Sequence, residues 1–336
     1  MMNTKEWLNQ LRDRAQKQAL PILSFPCVSL LGVTVDALVQ SSVLQAEGMA
    51  RVAARVPSAA SVSMMDLSVE AEAFGARVRF DANEMPAVTD VLIHNEEEAN
   101  ALPVPAVGAG RTGVYVEAIR LAVQKITDRP VFAGMIGPLS LTGRLVGASE
   151  AMFYCYDEPI LMQRVLERAE RFLTEYALAF KAAGANGLII AEPLAGLLSA
   201  KHASAFSHPY IRRIVETVQD DSFQVLYHNC GESTSKMTDD LVAIGAAAYH
   251  FGNKVDMRDI LEKMPAHTIV LGNLDPAGQF RNGTPQTIAE ETNRLLVACA
   301  EHRNFVISSG CDIPPATPWK NIDAFFAAVQ AFYERE

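Results

Sequence analysis

Short apolar runs alternate with longer amphipathic stretches along most of this chain. The runs Pro21–Phe25, Ala60–Leu67, Pro130–Gly137, Asn186–Glu192, Phe223–Cys230, Ala246–Gly252, Thr268–Asn273 and Asn304–Ser309 each stop abruptly at polar or glycine-containing sequence, which is the signature of a buried strand entering a loop. Between them the helical period predicts helices over Val114–Ile126, Pro159–Ala183 and Pro285–His302. The last is entered through Thr284, an N-cap residue, followed by Pro285 at the first helical position. Strands that alternate with helices pair in parallel, and eight such units predict an α/β fold, a (β/α)8 TIM barrel. The doubly wound open sheet is the rival. It normally carries a glycine-rich phosphate loop after its first strand, and here that place is Pro26-Cys27-Val28-Ser29-Leu30-Leu31-Gly32. One domain over residues 1–336 is expected, with an N-terminal helical extension over residues 1–20 from the polar segment Met1–Ala19. The small-residue stretch Ala106–Gly113 reads as a loop near the barrel mouth or edge.

Barrel active sites are built at the C-terminal ends of the strands. The notable polar residues fall there: Asp66, Glu192, His228, Cys230, Asn253, Asp275 and Cys311. His228 and Cys230 are at i and i+2, so on a strand their side chains share a face. With Cys311 in Gly310-Cys311-Asp312-Ile313-Pro314 they make an imidazole and two thiolates, a preferred zinc shell that leaves one coordination position open for chemistry. The alternative is a core histidine with two buried free cysteines. Glu192 ends an apolar strand. It is a candidate fourth ligand, an acceptor orienting His228, or a helix cap or rim ion pair. Asp66 is a candidate catalytic acid or cation holder, whereas Glu70 and Glu72 read as a solvated helix start. Asn253, beside His250, and Asp275 are expected to line the pocket that takes the cofactor, or to satisfy loop backbone. Cys27 is placed near the site, and Cys155 and Cys299 in helix packing.

The formal charge of -10 argues against nucleic acid or an anionic membrane surface as partner. The five cysteines are too sparse and odd in number for a disulfide framework. No apolar stretch approaches the ~20 residues that span a bilayer. The polar start, Met1–Lys17, lacks a signal-peptide core. A soluble, cytoplasmic protein is expected.

Three stretches resemble the uroporphyrinogen decarboxylase superfamily over nearly the whole chain: Asp66-Leu67 through Ala73-Phe74-Gly75, Gly187–Pro193, and Asn321-Ile322-Asp323-Ala324. Within it the chain is more similar to the zinc-dependent methylcobamide:coenzyme M methyltransferases. Their His-x-Cys and Cys signature maps onto His228, Cys230 and Cys311, their Gly-Cys-Asp-Ile turn onto Gly310–Ile313, and their Glu-Ala-Glu-Ala-x-Gly onto Glu70–Gly75. The arginine-containing segment by which true decarboxylases bind porphyrinogen carboxylates corresponds here to Ser24–Ser29, which has no arginine. The resemblance implies zinc-dependent methyl transfer between a corrinoid and a thiol such as coenzyme M. The chain has no Asp-x-His-x-x-Gly corrinoid-binding segment, so a separate corrinoid protein is the expected partner. The alternatives are a porphyrinogen-type decarboxylase using Asp66, and a zinc- or corrinoid-binding protein without turnover.

Overall fold

A computed structural model of the protein describes residues 2–334. Met1, at which the N-terminal extension was expected to begin, and residues 335–336 lie outside the described residues. The strands are β1 (Ser61–Val62), β2 (Val78–Arg79), β3 (Ala87–Val88), β4 (Val131–Ile136), β5 (Gly187–Ala191), β6 (Gln224–Asn229), β7 (Ala248–Phe251), β8 (Ile269–Leu274) and β9 (Phe305–Ser309). Seven of them form one parallel sheet in the order β1-β4-β5-β6-β7-β8-β9, curled and wrapped by helices in the manner of a TIM barrel. β2 and β3 form a separate antiparallel hairpin that the hydrophobic pattern does not announce.

The expected first strand, Pro21–Phe25, is not a regular strand. The segment nevertheless bridges β9 and the residues just before β1. Leu20 N donates to Ile307 O at 3.0 Å, Ala59 N donates to Ala19 O at 2.9 Å, and Ile313 N donates to Ile22 O at 3.0 Å. Pro21 has no N–H to give a ladder. Hydroxyls of β9 fill in: Ile22 N donates to Ser309 Oγ at 3.1 Å, and Ser308 Oγ donates to Leu20 O at 2.7 Å. The expected strand Ala60–Leu67 is likewise regular only over Ser61–Val62, because Gly134 N turns to Ser63 Oγ at 2.8 Å instead of to backbone.

The three expected helices are present as Thr112–Lys125, Pro159–Ala182 and Pro285–Cys299. Thr284 accepts from Thr287 N as the N-cap. The N-terminal extension forms a helix over Thr4–Asp13, capped by Asn3 accepting from Glu6 N. Its Leu8 and Leu11, three residues apart on one face, pack with Leu226, Ala248 and Val306 in the barrel interior. Trp7 meets Phe132 at 5.9 Å between ring centroids. Burying each leucine contributes about 2 kcal/mol, enough to hold the helix in place.

Candidate metal centre

Alternate residues of a barrel strand point inward. In β6, β7 and β9 the inward apolar residues Leu226, Ala248 and Val306 are each followed two positions later by a buried polar one: His228, His250 and Ser308. These three form a polar layer above the apolar interior. Parallel register places His228 beside His250. Cys230 lies just past the end of β6 and Cys311 just past β9. The turns after β7 and β9 fold tightly over the rim because glycine occupies two points of contact. A Cβ on Gly252 would sit 2.6 Å from Cys230 Cβ, and one on Gly310 would sit 2.7 Å from Asn253 N. The result brings one ligand atom each from His228, Cys230 and Cys311 within 4.8 Å of one another.

Hydrogen bonding settles which ring nitrogen of His228 faces outward. Leu20 O only accepts, so the single proton of Ser308 Oγ goes to it at 2.7 Å. Ser308 Oγ must then accept from His250 Nε2, 2.7 Å away. Complete burial, followed by the neighbouring His228, holds the pKa of His250 well below the ordinary histidine value, so the ring is neutral and its Nδ1 is bare. That nitrogen accepts from His228 Nδ1 at 2.8 Å, and the His250 carbonyl lies 3.3 Å from the same donor. His228 Nε2 is left with its lone pair, buried and without a hydrogen-bond partner. A buried, bare imidazole nitrogen beside two thiols is a donor set that fits zinc.

The two thiols are not equivalent. Cys230 is driven well down, above all by a hydrogen bond from the Cys311 thiol, against the opposing effect of burial. Cys311 is pushed well up by the same bond and by burial. The pair therefore holds one proton, and the second thiolate needs a cation to stabilise it.

The other expected site residues lie outside this cluster. Glu192 is fully buried and its carboxyl faces the helix Pro138–Val146, which has no side-chain cap of its own. Ser140 N donates to Oε1 at 2.6 Å and Leu139 N to Oε2 at 3.0 Å. Burial pushes the carboxyl up to about 7 in spite of these donors. Glu192 is thus a remote cap on the exposed N–H groups of that helix. Asp66 is buried and engaged through both oxygens. Ser68 N and Oγ donate to Oδ1 at 3.0 and 2.6 Å, and Arg111 Nη1 and Tyr115 Oη donate to Oδ2 at 2.5 and 2.9 Å. Arg111, in the small-residue loop, also donates to Glu72 at 2.6 Å. Glu70 departs from its expected solvated position. It is buried, accepts from Ile136 N at 3.1 Å, and is pushed up to about 8 chiefly by that burial.

Cys27 is buried in a short helix, with its thiol pushed up to about 12 by burial. Cys155 and Cys299 are buried in helices, as expected. Asn253 and Asp275 line a common polar cavity of about 490 Å³ with Asn273, Arg258 and Arg294. Asp275 Oδ1 also accepts from Ala277 N and Gly278 N, so loop backbone takes part of its capacity. A second cavity, about 260 Å³, opens directly on Cys230. Leu67, Ile136, Leu194 and Leu197 make it apolar, and Arg144 is the one charged residue in its lining. Sequence reasoning missed Arg144 and Arg111, and it placed His250 at a strand end without its partner His228. Arg111 lies 45 residues from Asp66, and His250 lies 22 residues from His228.

The (β/α)8-type barrel gathers an imidazole and two thiols at its C-terminal mouth, a group that could hold a metal ion. The sequence profile described as uroporphyrinogen decarboxylase (URO-D) matches residues 18–332, and the chain belongs to that family. Methylcobamide:CoM methyltransferase MtbA of Methanosarcina acetivorans is 27% identical over 262 residues, 76% of this chain and 75% of that protein. A uroporphyrinogen decarboxylase of Alkalilimnicola ehrlichii is 26% identical over 290 residues, 84% of this chain and 78% of that protein. A solved methyltransferase from Methanosarcina mazei shares the fold, with a TM-score of 0.86 at 23% identity, covering 99% of this chain and 100% of that one. Among the described residues no helix is long and apolar enough to cross a membrane.

Proposed function

We propose that the chain is a zinc-dependent methyltransferase that moves a methyl group between a corrinoid, carried on a separate protein, and a small anionic thiol of the coenzyme M class. The observation that carries this reading is the bare His228 Nε2 beside the Cys230–Cys311 pair. Its functional setting is supported by the thiol-sized cavity opening on Cys230. Relatives named methylcobamide:CoM methyltransferases support the same class.

Zinc held by His228, Cys230 and Cys311 would deprotonate a thiol docked beside it at neutral pH. Two thiolates and a neutral imidazole cancel the charge of the ion, so the incoming sulfur stays electron-rich. Leu67, Ile136, Leu194 and Leu197 enclose the carbon chain of the thiol, and the Arg144 guanidinium receives its anionic end. In the transfer, the thiolate sulfur forms a bond to the methyl carbon. The cobalt–carbon bond breaks with its electron pair left on cobalt, which goes from Co(III) to Co(I), and the thiol proton passes to solvent. Asp66 and Glu192 act through the loop and helix they hold in place. The porphyrinogen decarboxylase reading would need a free Asp66, whereas here Arg111, Tyr115 and Ser68 occupy it.

The test mixes zinc-supplemented protein anaerobically with methylcobalamin, or a methylated corrinoid protein, and a panel of thiols. Formation of Co(I) and of a methyl thioether is expected. Conversion of uroporphyrinogen to coproporphyrinogen, with no methyl transfer to any thiol, would replace this reading by the decarboxylase.

A further inference from the structure

We infer that His250 and Ser308 are positioning residues that fix the proton order of the site, so that His228 presents a bare Nε2 to the metal. The inference rests on the zinc reading for its purpose, but its structural content stands on the hydrogen-bond chain alone. That chain runs Leu20 O, Ser308 Oγ, His250 Nε2, His250 Nδ1, His228 Nδ1, with successive contacts of 2.7, 2.7 and 2.8 Å between residues. Every member is buried. Its far end is a backbone carbonyl, which cannot donate, and the His250 carbonyl 3.3 Å from His228 Nδ1 can likewise only accept, so both ends of the chain call for a proton on His228 Nδ1. The reverse order would put a proton on His228 Nε2, facing the two cysteine sulfurs, and would block the lone pair a metal needs.

A metal-bound histidine ordinarily gives its other N–H to a carboxylate, a carbonyl or water. Here a second imidazole does this, itself held by a hydroxyl. The arrangement has a structural economy. Ser308 Oγ belongs to the contact by which the irregular segment at Leu20 closes the barrel, so closure of the barrel and orientation of the ligand share one hydrogen bond.

Two measurements test this. Long-range proton–nitrogen NMR on histidine-labelled, metal-free protein reads the tautomer of His228. The Nδ1–H form is expected in the wild type, with a mixture of tautomers in Ser308→Ala. Cobalt(II) titration reads affinity. His250→Ala is expected to weaken binding by about 10- to 100-fold, with the His250 carbonyl, 3.3 Å from Nδ1, keeping the loss towards the lower figure. His250→Asn, whose Oδ1 can take the place of Nδ1, is expected to restore most of the affinity. An Nε2–H His228 in the wild type would overturn the inference. So would Ser308→Ala and His250→Ala proteins with wild-type tautomer and cobalt affinity. A wild-type protein that binds no metal but shows the Nδ1–H tautomer would refute the zinc reading and leave the positioning chain intact, so the two failures are distinguishable.

Discussion

Ser308 donates its only hydroxyl proton to the carbonyl of Leu20, at 2.7 Å across the seam of the barrel. The bond stands where a strand ladder would otherwise close the sheet, and it also sets the orientation of two buried imidazoles. Fold and site therefore meet at one contact between residues 288 positions apart.

Cys311→Ser should lose most of its zinc yet stay folded. Cys311 sits past the end of β9 and contributes a ligand atom to the cluster more than it contributes packing to the barrel interior. Serine keeps the size and removes the thiolate. Metal content after dialysis should fall well below one ion per chain, with the far-ultraviolet dichroism unchanged and the melting temperature lowered only by the lost metal linkage. An insoluble or unfolded variant would make Cys311 a packing residue.

Arg144→Gln separates binding of the thiol from its chemistry. For a thiol with an anionic end, KM should rise about tenfold with kcat little changed, since the lost interaction is made equally before and during reaction. For 2-mercaptoethanol, which has no charged end, KM should not move. An equal rise for both thiols would place the anionic end elsewhere.

Glu70 gives a pH signature of stability. Its carboxyl is raised in the folded protein to about 8 by burial, so between the ordinary glutamate range near 4.5 and about 8 the folded state holds a proton that the unfolded state has lost. Its contribution to stability is fully present below the unfolded value and is lost as pH rises through the folded one. Glu70→Gln should abolish that decline, so that its stability relative to wild type improves by a few kcal/mol, on the order set by such a shift, between pH 5 and 8. Denaturant unfolding at a series of pH values measures it, and parallel pH curves for the two proteins would contradict it.

Much of the fold was legible because apolar runs and strand ends are local properties of sequence. Seven of the eight expected strands form the sheet, and the eighth fails at a proline. His228, Cys230 and Cys311 could be singled out because their side chains carry distinctive chemistry at strand ends. What the sequence hid is partnership. Asp66 is bound by Arg111, 45 residues away, and Glu192 caps a helix some 52 residues before it. Nothing in the spacing of either residue states this. Glu70 reads as solvated from its Glu-Ala-Glu-Ala setting, yet it packs under the end of β4, where Ile136 N bonds to it. His250 reads as one more polar residue at a strand end until register pairs it with His228.

X-ray absorption on zinc-supplemented protein tests the central claim most directly. One zinc per chain is predicted, with a shell containing one histidine nitrogen at about 2.0 Å and two sulfurs at about 2.3 Å. The sulfur signal should be halved in Cys230→Ser. A shell of nitrogen and oxygen alone, or protein that stays metal-free through zinc supplementation, would contradict it.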